Sequence, residues 1–553
     1  MSWAWSSSRT CVRLRIASNV VVAISCLIFI LCGLAVLPYP GVQYDEAMFS
    51  APLYEPRYYF SGVSILHVRI PLMLMSYLGC LKSWGYKAIF AVWSPSVYSL
   101  RLPAILIGTA TIYLFWVLLR LTIGDRAAIV GTVLLATDSS FLLTTCFDWG
   151  PVALQHLLMI GGVLAVVCFH QSHKEKFLGL GFFLFGLALW DKALFSWSLV
   201  GLAAATLLVF PRNLWSHVTN RRLLIAGFSL MFGAFPLLWY DVAQRGNTFS
   251  ANARFSVRDF GAKVEALERT AQGSALFGYI VRDDQPQTRR QPHTAVERSS
   301  VAFTSLVGQH QRNLVIPAFL LAALGLPFFW RTHARIPMLF TLILLVVIWL
   351  QMAITVGTGT GAHHVILLWP WPMFFIAAAF SQALTWFGRS RGVVLVTLVL
   401  VLAGANLLVT NQYLKELVQN GPGSIWDDAI FSLAEYTKGQ SGAEIYSVDW
   451  GTMNPLRLLD RGTLRLEEAA FVLLKQSPDQ QDERFLTHMI TTNDGLFVAH
   501  TTPFEAFQGI NARLENAAEK LGYRRRSIAT IYDQEGSAVF DLFRFEKASP
   551  NSK

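Results

Sequence analysis

The chain has 553 residues, of which 54% are hydrophobic and only 14% are charged, and its mean hydropathy is +0.44. A soluble protein of this length would carry more charge and shorter apolar runs, so the composition excludes that class and indicates an integral membrane protein. The formal net charge of +10 does not indicate a nucleic-acid partner, because the basic residues lie mostly in short loops between apolar runs.

The first apolar run extends from about Ile16 to Leu37, after a Ser-rich and basic N-terminal segment. It is long for the hydrophobic part of a cleaved signal peptide, and no small-x-small site precedes Pro38. We therefore expect a retained anchor that forms the first membrane span. Two adjacent carboxylates, Asp45 and Glu46, follow directly, where a membrane helix meets water.

The segment from Ser61 to Trp84 is apolar enough to suggest a further span. It contains His67, Arg69 and Lys82, each of which is costly at the centre of a bilayer. We therefore expect surface-lying or re-entrant helices over residues 57–98. Their interfacial aromatic residues would be Tyr58, Tyr59, Trp84 and Trp93.

Ten more apolar runs have the length of a membrane span, which makes about eleven spans in all. They lie near residues 101–119, 127–145, 152–170, 177–190, 194–210, 223–240, 314–330, 336–355, 363–382 and 392–410. With a cytoplasmic N-terminus, the inner loops are those rich in Lys and Arg, as the positive-inside rule requires. The sequence therefore predicts a multi-pass protein of the inner (plasma) membrane, with long outer loops at 39–100 and 241–312.

On this topology the ionisable residues of the outer loops all face one compartment. Outer loops this short normally need only small or turn-forming residues, so their charges call for another explanation. The residues concerned are Asp45, Glu46, Arg69, Asp148, Asp191, Lys192, Asp241, His363 and His364.

After about residue 410 the composition becomes that of a soluble protein. The patterns predict two buried strands, a helix and a closing strand pair; we expect a surface helix to start at Asp427 and Asp428. The sequence thus predicts a transmembrane domain over 1–410 and a small α/β domain over 411–553, on the outer face. The predicted elements are strands at 443–449 and 495–500, a helix at 506–521, and paired strands at 527–532 and 538–545.

Acids and bases at a bilayer edge suit the transfer of a sugar from a phosphate-linked lipid. Such a transfer needs a carboxylate that accepts the proton of the acceptor. It also needs cations that hold the phosphate and stabilise its developing charge. Asp45 could supply the base, and Arg69, Lys192 and the pair His363–His364 could supply the cations.

An ordered set of motifs strengthens this reading. Tyr44–Ala47 follows the first span, and Val68–Leu72 lies in the first outer loop. Arg101–Ala104 opens the second span, Gly124–Arg126 forms an inner turn, and Asp148, Lys192 and His363–Pro372 come later. Over roughly residues 16–380 this order resembles the integral-membrane GT-C glycosyltransferases. The likeness is to the bacterial branch related to protein O-mannosyltransferases and lipid A aminoarabinose transferases, which is glycosyltransferase family 39-like.

The resemblance implies a GT-C-like polytopic helical fold and a role for each matched residue. Asp45, with Glu46 in the same motif, would be the catalytic base. Asp148 would orient the acceptor or assist the base. The donor phosphate would be held by Arg69, Lys192, His363 and His364.

Structural roles remain open for several of these residues. Asp148 could cap the next helix, Lys192 could be solvated at a hairpin tip, and Arg101 could anchor its helix at the interface. No metal is assigned. A divalent ion is an open alternative, because the His pair with Asp45, Glu46 or Asp148 could complete a ligand set.

The sequence therefore predicts an inverting glycosyltransferase that uses a polyprenyl-phosphate sugar. Its acceptor would be a hydroxyl or amine of a lipid, glycan or protein. The main alternative is a secondary transporter or exporter of a lipid or polar solute. That class carries ionisable or helix-breaking positions near mid-span, in paired halves, whereas the predicted span centres are almost free of charge. A third alternative is a membrane-anchored binding protein whose tail domain is the working part.

Overall fold

The computed structural model describes residues 9–55, 58–65, 68–282, 289–440, 442–492 and 494–548. His67, which counted against a span in the first loop, lies outside these residues. The N-terminal part consists of one long helix followed by short elements. These are α1 (Arg9–Val36), α2 (Tyr44–Met48), α3 (Ala51–Tyr54), β1 (Ser61–Ile65), β2 (Val68–Met73) and α4 (Leu81–Val92).

Seventeen further helices, most of them apolar, complete the part of the chain that precedes the C-terminal sheet. They are α5 (Val97–Thr122), α6 (Asp125–Thr137), α7 (Ser139–Cys146), α8 (Val152–Ser172), α9 (Glu175–Asp191), α10 (Ser196–Val209), α11 (Pro211–His217), α12 (Asn220–Gly233), α13 (Phe235–Ala243), α14 (Asn247–Asn252), α15 (Phe260–Ala271), α16 (Ala295–Val307), α17 (Val315–Gly325), α18 (Arg335–Ile354), α19 (Ala362–Val365), α20 (Trp371–Ala383) and α21 (Arg391–Asn420).

The apolar helices are those of a multi-pass membrane protein. Within the described ranges, five helical segments are long and apolar enough to cross a membrane, or eight when each bent pair counts as one span. Every predicted span falls on such a helix or on a shorter apolar one, such as the 11-residue α17. The number eleven therefore stays a prediction.

Local sequence explains the bends. Asp138 interrupts the span predicted at 127–145, because its side chain accepts a hydrogen bond from the Phe141 N–H (2.8 Å) and so starts a new helix. The axes of α6 and α7 differ by 55°. Close packing of α9 on α12 depends on two glycines. A Cβ at Gly186 would lie 2.2 Å from the Leu230 carbonyl oxygen, and one at Gly233 would lie 2.3 Å from that of Phe183.

The first outer loop is only partly helical. A helix was predicted there, and α4 confirms one, but β1 and β2 pair as an antiparallel hairpin with Ser64 opposite Arg69. The run Val68–Met73 is short and holds a proline at position 71, both of which oppose a helix. Part of the apolar segment for which membrane-surface helices were predicted therefore forms a small sheet, β1 and β2.

The C-terminal part forms a five-stranded sheet flanked by helices. Strand β3 runs parallel to β4 and β5, and β7 lies antiparallel between β5 and β6, which gives the order β4-β3-β5-β7-β6. Its elements are α22 (Ala429–Lys438), β3 (Glu444–Ser447), α23 (Met453–Leu459), β4 (Arg465–Glu468), α24 (Ala470–Leu474), α25 (Gln480–Thr491), β5 (Gly495–His500), α26 (Ile510–Lys520), β6 (Tyr523–Tyr532) and β7 (Ala538–Lys547).

The two buried strands, the helix and the closing pair that the sequence predicted are confirmed. Strand β4 was missed, because Arg465–Glu468 holds three charged residues in four positions. Helix α21 continues past residue 410 to Asn420, so the exact domain division stays a prediction.

The expected surface position of Asp427 and Asp428 is wrong. A helix does start beside them, at Ala429, but both side chains are buried. Asp427 accepts hydrogen bonds from the Ala429 N–H (2.9 Å) and from Arg282 Nη2 (2.7 Å). A charge that has both a helix cap and an ion-pair partner can be buried at acceptable cost.

Candidate active site

Asp45 lies on the short helix α2, directly after the first long helix. Gln43 precedes this helix, and its side-chain oxygen accepts hydrogen bonds from the N–H groups of Asp45 (2.7 Å) and Glu46 (3.0 Å). This cap begins the helix one residue before Asp45 and turns the Asp45 carboxylate toward a cavity.

The cavity has a volume of about 70 Å³ and lies between α2, the loop after β2, the loop between α7 and α8, the hairpin between α9 and α10, and α19. It brings together four of the seven predicted site residues. The described residues that line it are Asp45, Met48, Met75, Tyr77, Leu78, Trp149, Gly150, Pro151, Lys192, His363 and His364. In this set Asp45 is the one carboxylate, and Lys192 is the one lysine or arginine.

Burial raises the pKa of Asp45 to about 6, although the hydrogen bond with Gln43 opposes the shift. Removing a carboxylate from water disfavours its charged form, which is the direction seen here. A carboxylate with a pKa near 6 is still mostly ionised at neutral pH. It is also a stronger base than an exposed aspartate, so the environment suits general-base catalysis.

Lys192 is 1% exposed, and its ammonium donates a hydrogen bond to the Gly150 carbonyl oxygen (3.0 Å). Burial lowers its pKa to about 8, while the nearby carboxylates of Asp191 and Asp148 act in the opposite direction. The side chain therefore remains largely cationic at neutral pH, beside the cavity that Asp45 faces.

The loop after β2 holds Lys192 in place. The Ala193 N–H donates to the Tyr77 carbonyl oxygen (2.9 Å), and the Gly79 N–H donates to that of Asp191 (3.1 Å). The two segments approach so closely that a Cβ at Gly79 would lie 2.0 Å from the Trp190 carbonyl oxygen. Glycine at position 79 therefore permits the contact between the first loop and the lysine hairpin.

His363 and His364 lie on α19 and also line the cavity. Their ring centroids are 4.1 Å apart, and the His363 ring lies 5.5 Å from that of Trp149. The Gly359 N–H donates to His364 Nδ1 (3.4 Å). Both residues line the cavity together with Asp45 and Lys192.

Glu46 does not reach the cavity. Its carboxylate accepts two hydrogen bonds from Arg101, at 2.7 Å from Nε and 2.8 Å from Nη2. The other three N–H groups of Arg101 donate to the carbonyl oxygens of Leu37, Pro40 and Gly41. In the structure Glu46 therefore pairs with Arg101 and does not line the cavity, and Arg101 is fully buried.

Asp148 also lies beside the cavity and not within its lining. One oxygen accepts from the N–H groups of Val152 (2.5 Å) and Ala153 (3.1 Å), which is the helix cap that the sequence left open. The other oxygen lies 3.0 Å from Lys82 Nζ. Arg69 is exposed on β2 and is not among the lining residues.

Sequence reasoning missed several residues of this site. Lys82 counted only as a charge too costly for a span, yet its ammonium pairs with Asp148 and lies 4.3 Å from the Phe49 ring centroid. Tyr77 and Trp149 line the cavity. Only their positions in the chain could have indicated them, since Trp149 directly follows Asp148 and Tyr77 lies two residues before Gly79.

The residues do not fit the divalent-metal alternative. In the described ranges, no group of three or more His, Cys, Asp or Glu side chains is arranged to hold a metal ion. Glu46 and Asp148, which were to complete the ligand set, are bound by Arg101 and Lys82.

No family profile and no curated protein sequence matches the chain. Solved structures do match it over nearly its full length. ArnT from Cupriavidus metallidurans bound to undecaprenyl phosphate has a TM-score of 0.57 and 14% identity, covering 96% of this chain and 99% of that one. The apo state of the same protein has a TM-score of 0.56 and 14% identity, covering 95% and 97%.

A third match is the archaeal oligosaccharyltransferase AglB from Archaeoglobus fulgidus, in complex with an inhibitory peptide and a dolichol-phosphate. It has a TM-score of 0.50 and 11% identity, and covers 98% of this chain and 75% of that one. At such low identity the likeness concerns the fold alone. The chain has the GT-C fold of integral-membrane glycosyltransferases.

Proposed function

We propose that the protein is an inverting glycosyltransferase. It moves a sugar from a polyprenyl-phosphate donor to a hydroxyl or amine of an acceptor lipid, glycan or protein. One observation carries the proposal: on a GT-C fold, a single cavity joins the Asp45 carboxylate to Lys192 and two histidines. That similar structures were solved with undecaprenyl phosphate and with a dolichol-phosphate supports the donor class.

Asp45 is the general base. It accepts the proton of the acceptor as the acceptor oxygen or nitrogen attacks the anomeric carbon of the sugar. The bond between that carbon and the phosphate oxygen breaks, and its electron pair passes to the departing lipid phosphate. Since Asp45 is the one carboxylate among the described lining residues, a single displacement with inversion is favoured over a glycosyl-enzyme intermediate.

The leaving phosphate is stabilised by Lys192, with His363 and His364 at its side. A cation that is fixed before the reaction begins stabilises developing negative charge without further reorganisation. Lys82 and Asp148 pair directly behind this group and anchor the chain next to Gly150. Arg69 is left out of the phosphate site, because it is exposed on the hairpin.

We place the cavity and the C-terminal sheet on the outer face of the inner membrane, with the N-terminus in the cytoplasm. The support is the distribution of charge. Basic loops join the helix ends that lie away from the cavity, such as Arg120 to Arg126 between α5 and α6, as expected for cytoplasmic loops.

The transporter alternative requires an ionisable group free to act within a span. Asp138 lies at a helix break, but one of its oxygens caps α7 and accepts from Trp369 Nε1 (3.2 Å). These contacts give that oxygen a structural role at the helix bend, while the other oxygen of Asp138 is buried without a hydrogen-bond partner among the described residues.

The test is to incubate the purified protein with a panel of polyprenyl-phosphate sugars and to measure release of the lipid phosphate. We expect Asp45→Asn to lower turnover by at least about 100-fold, because a general base contributes that much or more. Its Tm in detergent should not fall.

Asp241→Asn is the matched control. This aspartate lies outside the cavity and accepts a hydrogen bond from the Thr248 N–H (2.9 Å), which an asparagine oxygen can also accept. Full turnover in Asp45→Asn would remove Asp45 from the role of base. Failure of the wild type to release lipid phosphate from any donor would contradict the donor class.

A further inference from the structure

Three consecutive residues of α2 face three different parts of the molecule. Successive residues of an α-helix are rotated by about 100°, so Tyr44, Asp45 and Glu46 cannot share one face. Asp45 lines the cavity, and Glu46 binds Arg101 at the start of α5. Tyr44 extends in the third direction, toward the C-terminal sheet.

Tyr44 is almost fully buried against that sheet. Its hydroxyl donates a hydrogen bond to Glu468 Oε1 (3.0 Å), at the end of β4. Its ring centroid lies 5.0 Å from that of Trp450, in the segment after β3. The residue next to the proposed base is therefore held by two residues that are more than 400 positions away in sequence.

A second set of contacts supports the same junction. The Tyr58 hydroxyl lies 3.5 Å from that of Tyr44 and accepts a hydrogen bond from Asn454 Nδ2 (2.8 Å). Leu458 of α23 belongs to the same apolar cluster as Ala47 and Met48 of α2. The C-terminal part of the chain, through the end of β4, the segment after β3 and helix α23, thus contacts both ends of the helix that carries Asp45.

A helix of five residues has no appreciable stability of its own. Its orientation must come from its neighbours. The Glu46–Arg101 pair holds one side of the helix, and the apolar cluster around Ala47 and Met48 holds its C-terminal end. The contact of Tyr44 with Glu468 and Trp450 holds the residue directly before Asp45, and so bears on the direction of the Asp45 carboxylate.

We propose that Tyr44 is a positioning residue, through which Glu468 and Trp450 of the C-terminal sheet orient Asp45 for proton transfer. This inference rests on the proposed function of Asp45 as general base. It gives the C-terminal sheet a role in the chemical step itself. Recognition of the acceptor would be a different role.

The experiment uses Tyr44→Phe in the full-length protein. This change removes the hydrogen bond to Glu468 and keeps the ring. We expect kcat for lipid-phosphate release to fall about tenfold with the KM for the donor unchanged, because small displacements of a reacting group slow catalysis strongly. Amide hydrogen exchange in residues 43–49 should become faster.

Tyr446→Phe is the matched control, since it removes another tyrosine–glutamate hydrogen bond of the sheet, to Glu444 Oε2 (2.8 Å). It should change neither kcat nor exchange in residues 43–49. In an Asp45→Asn background, Tyr44→Phe should cause no further loss, because the two residues act through one group.

The outcomes separate the two proposals. A wild-type kcat together with unchanged exchange in Tyr44→Phe would overturn the positioning role, even if Asp45→Asn is inactive. Equal losses in the Asp45→Asn background and in the wild type would overturn it as well. If no donor is turned over, the proposed function fails, and exchange in residues 43–49 still decides whether Tyr44 holds the helix.

Discussion

The Asp45 carboxylate is an acid whose environment alters its chemistry. It lines the same small cavity as an ammonium group, and burial raises its pKa to about 6 although the hydrogen bond with Gln43 opposes the shift. Two consecutive residues of one motif thus have opposite electrostatic surroundings. Few donors reach the Asp45 carboxylate, whereas the Glu46 carboxylate accepts two hydrogen bonds from the Arg101 guanidinium.

The pH dependence of catalysis follows from these two pKa values. Protonated Asp45 cannot accept a proton, so kcat/KM should fall below about pH 6. It should fall again above about pH 8, where Lys192 loses its charge. Lys192→Arg should remove the alkaline decrease, because a guanidinium stays protonated. A profile that is flat from pH 5 to 7 would contradict the assignment of Asp45.

Substitutions of Asp45 and Glu46 should have opposite effects on the stability of the folded protein. The raised pKa of Asp45 means that ionisation destabilises the folded state above pH 4 and fully above pH 6. Asp45→Asn should therefore raise the Tm at pH 8, and this gain should shrink as the pH falls from 6 toward 4.

Glu46→Ala should lower the Tm instead of raising it. It leaves the Arg101 charge buried without its carboxylate, which costs about 3–5 kcal/mol, so the Tm should fall at every pH. Thermal unfolding in detergent measures both variants. Equal losses of stability in the two variants would contradict their different surroundings.

At the scale of elements, the site depends on how closely the loop after β2 meets the hairpin between α9 and α10. The backbone contacts there join Tyr77 to Ala193 and Gly79 to Asp191. Neither segment is a long helix, so their relative position is set by these hydrogen bonds and by the absence of a side chain at position 79.

Gly79→Ala should displace the loop from the lysine hairpin. Its Cβ would lie 2.0 Å from the Trp190 carbonyl oxygen, and backbone on both sides must move to relieve this. We expect a lower Tm and a loss of lipid-phosphate release. Gly85→Ala is the control, since its Cβ meets no atom within 4 Å and α4 should gain helix propensity. Unchanged activity in Gly79→Ala would show that the contact is not needed.

At the scale of the whole molecule, the proposed orientation can be measured. Arg69 lies near the cavity end of the bundle and Lys174 follows α8 at the other end, and both are exposed. In a background without the six native cysteines, Arg69→Cys in intact cells should react with a membrane-impermeant maleimide. Lys174→Cys should react only after the membrane is opened. Reaction of both from outside would contradict a cavity on the outer face.

The sequence predicted the large-scale features well, because they depend on composition and periodicity. Apolar runs gave the helices, and alternating or continuous apolar segments gave β3, β5 and the β6–β7 pair. Asp45, Lys192 and the His pair were placed in one site, and the structure brings them together.

The partners of the buried charges could not be predicted, because residue type does not reveal them. Glu46 and Asp148 looked like reacting acids, but each has a specific cation that lies far away in sequence. Asp427 was expected at the surface for the same reason, since its partner Arg282 is 145 positions distant. Lys82 was overlooked because its carboxylate, Asp148, was already assigned elsewhere.

The hydrogen bond from Lys192 to the Gly150 carbonyl oxygen has a consequence for selectivity. The bond uses one of the three N–H donors of the ammonium, so an incoming phosphate can use at most the other two while the bond is kept. A small water-soluble phosphate gains little from so few contacts. A phosphate attached to a long isoprenoid chain brings additional binding energy from the surrounding lipid-facing surface. We therefore expect the site to bind free phosphate ions only weakly, even where they are abundant.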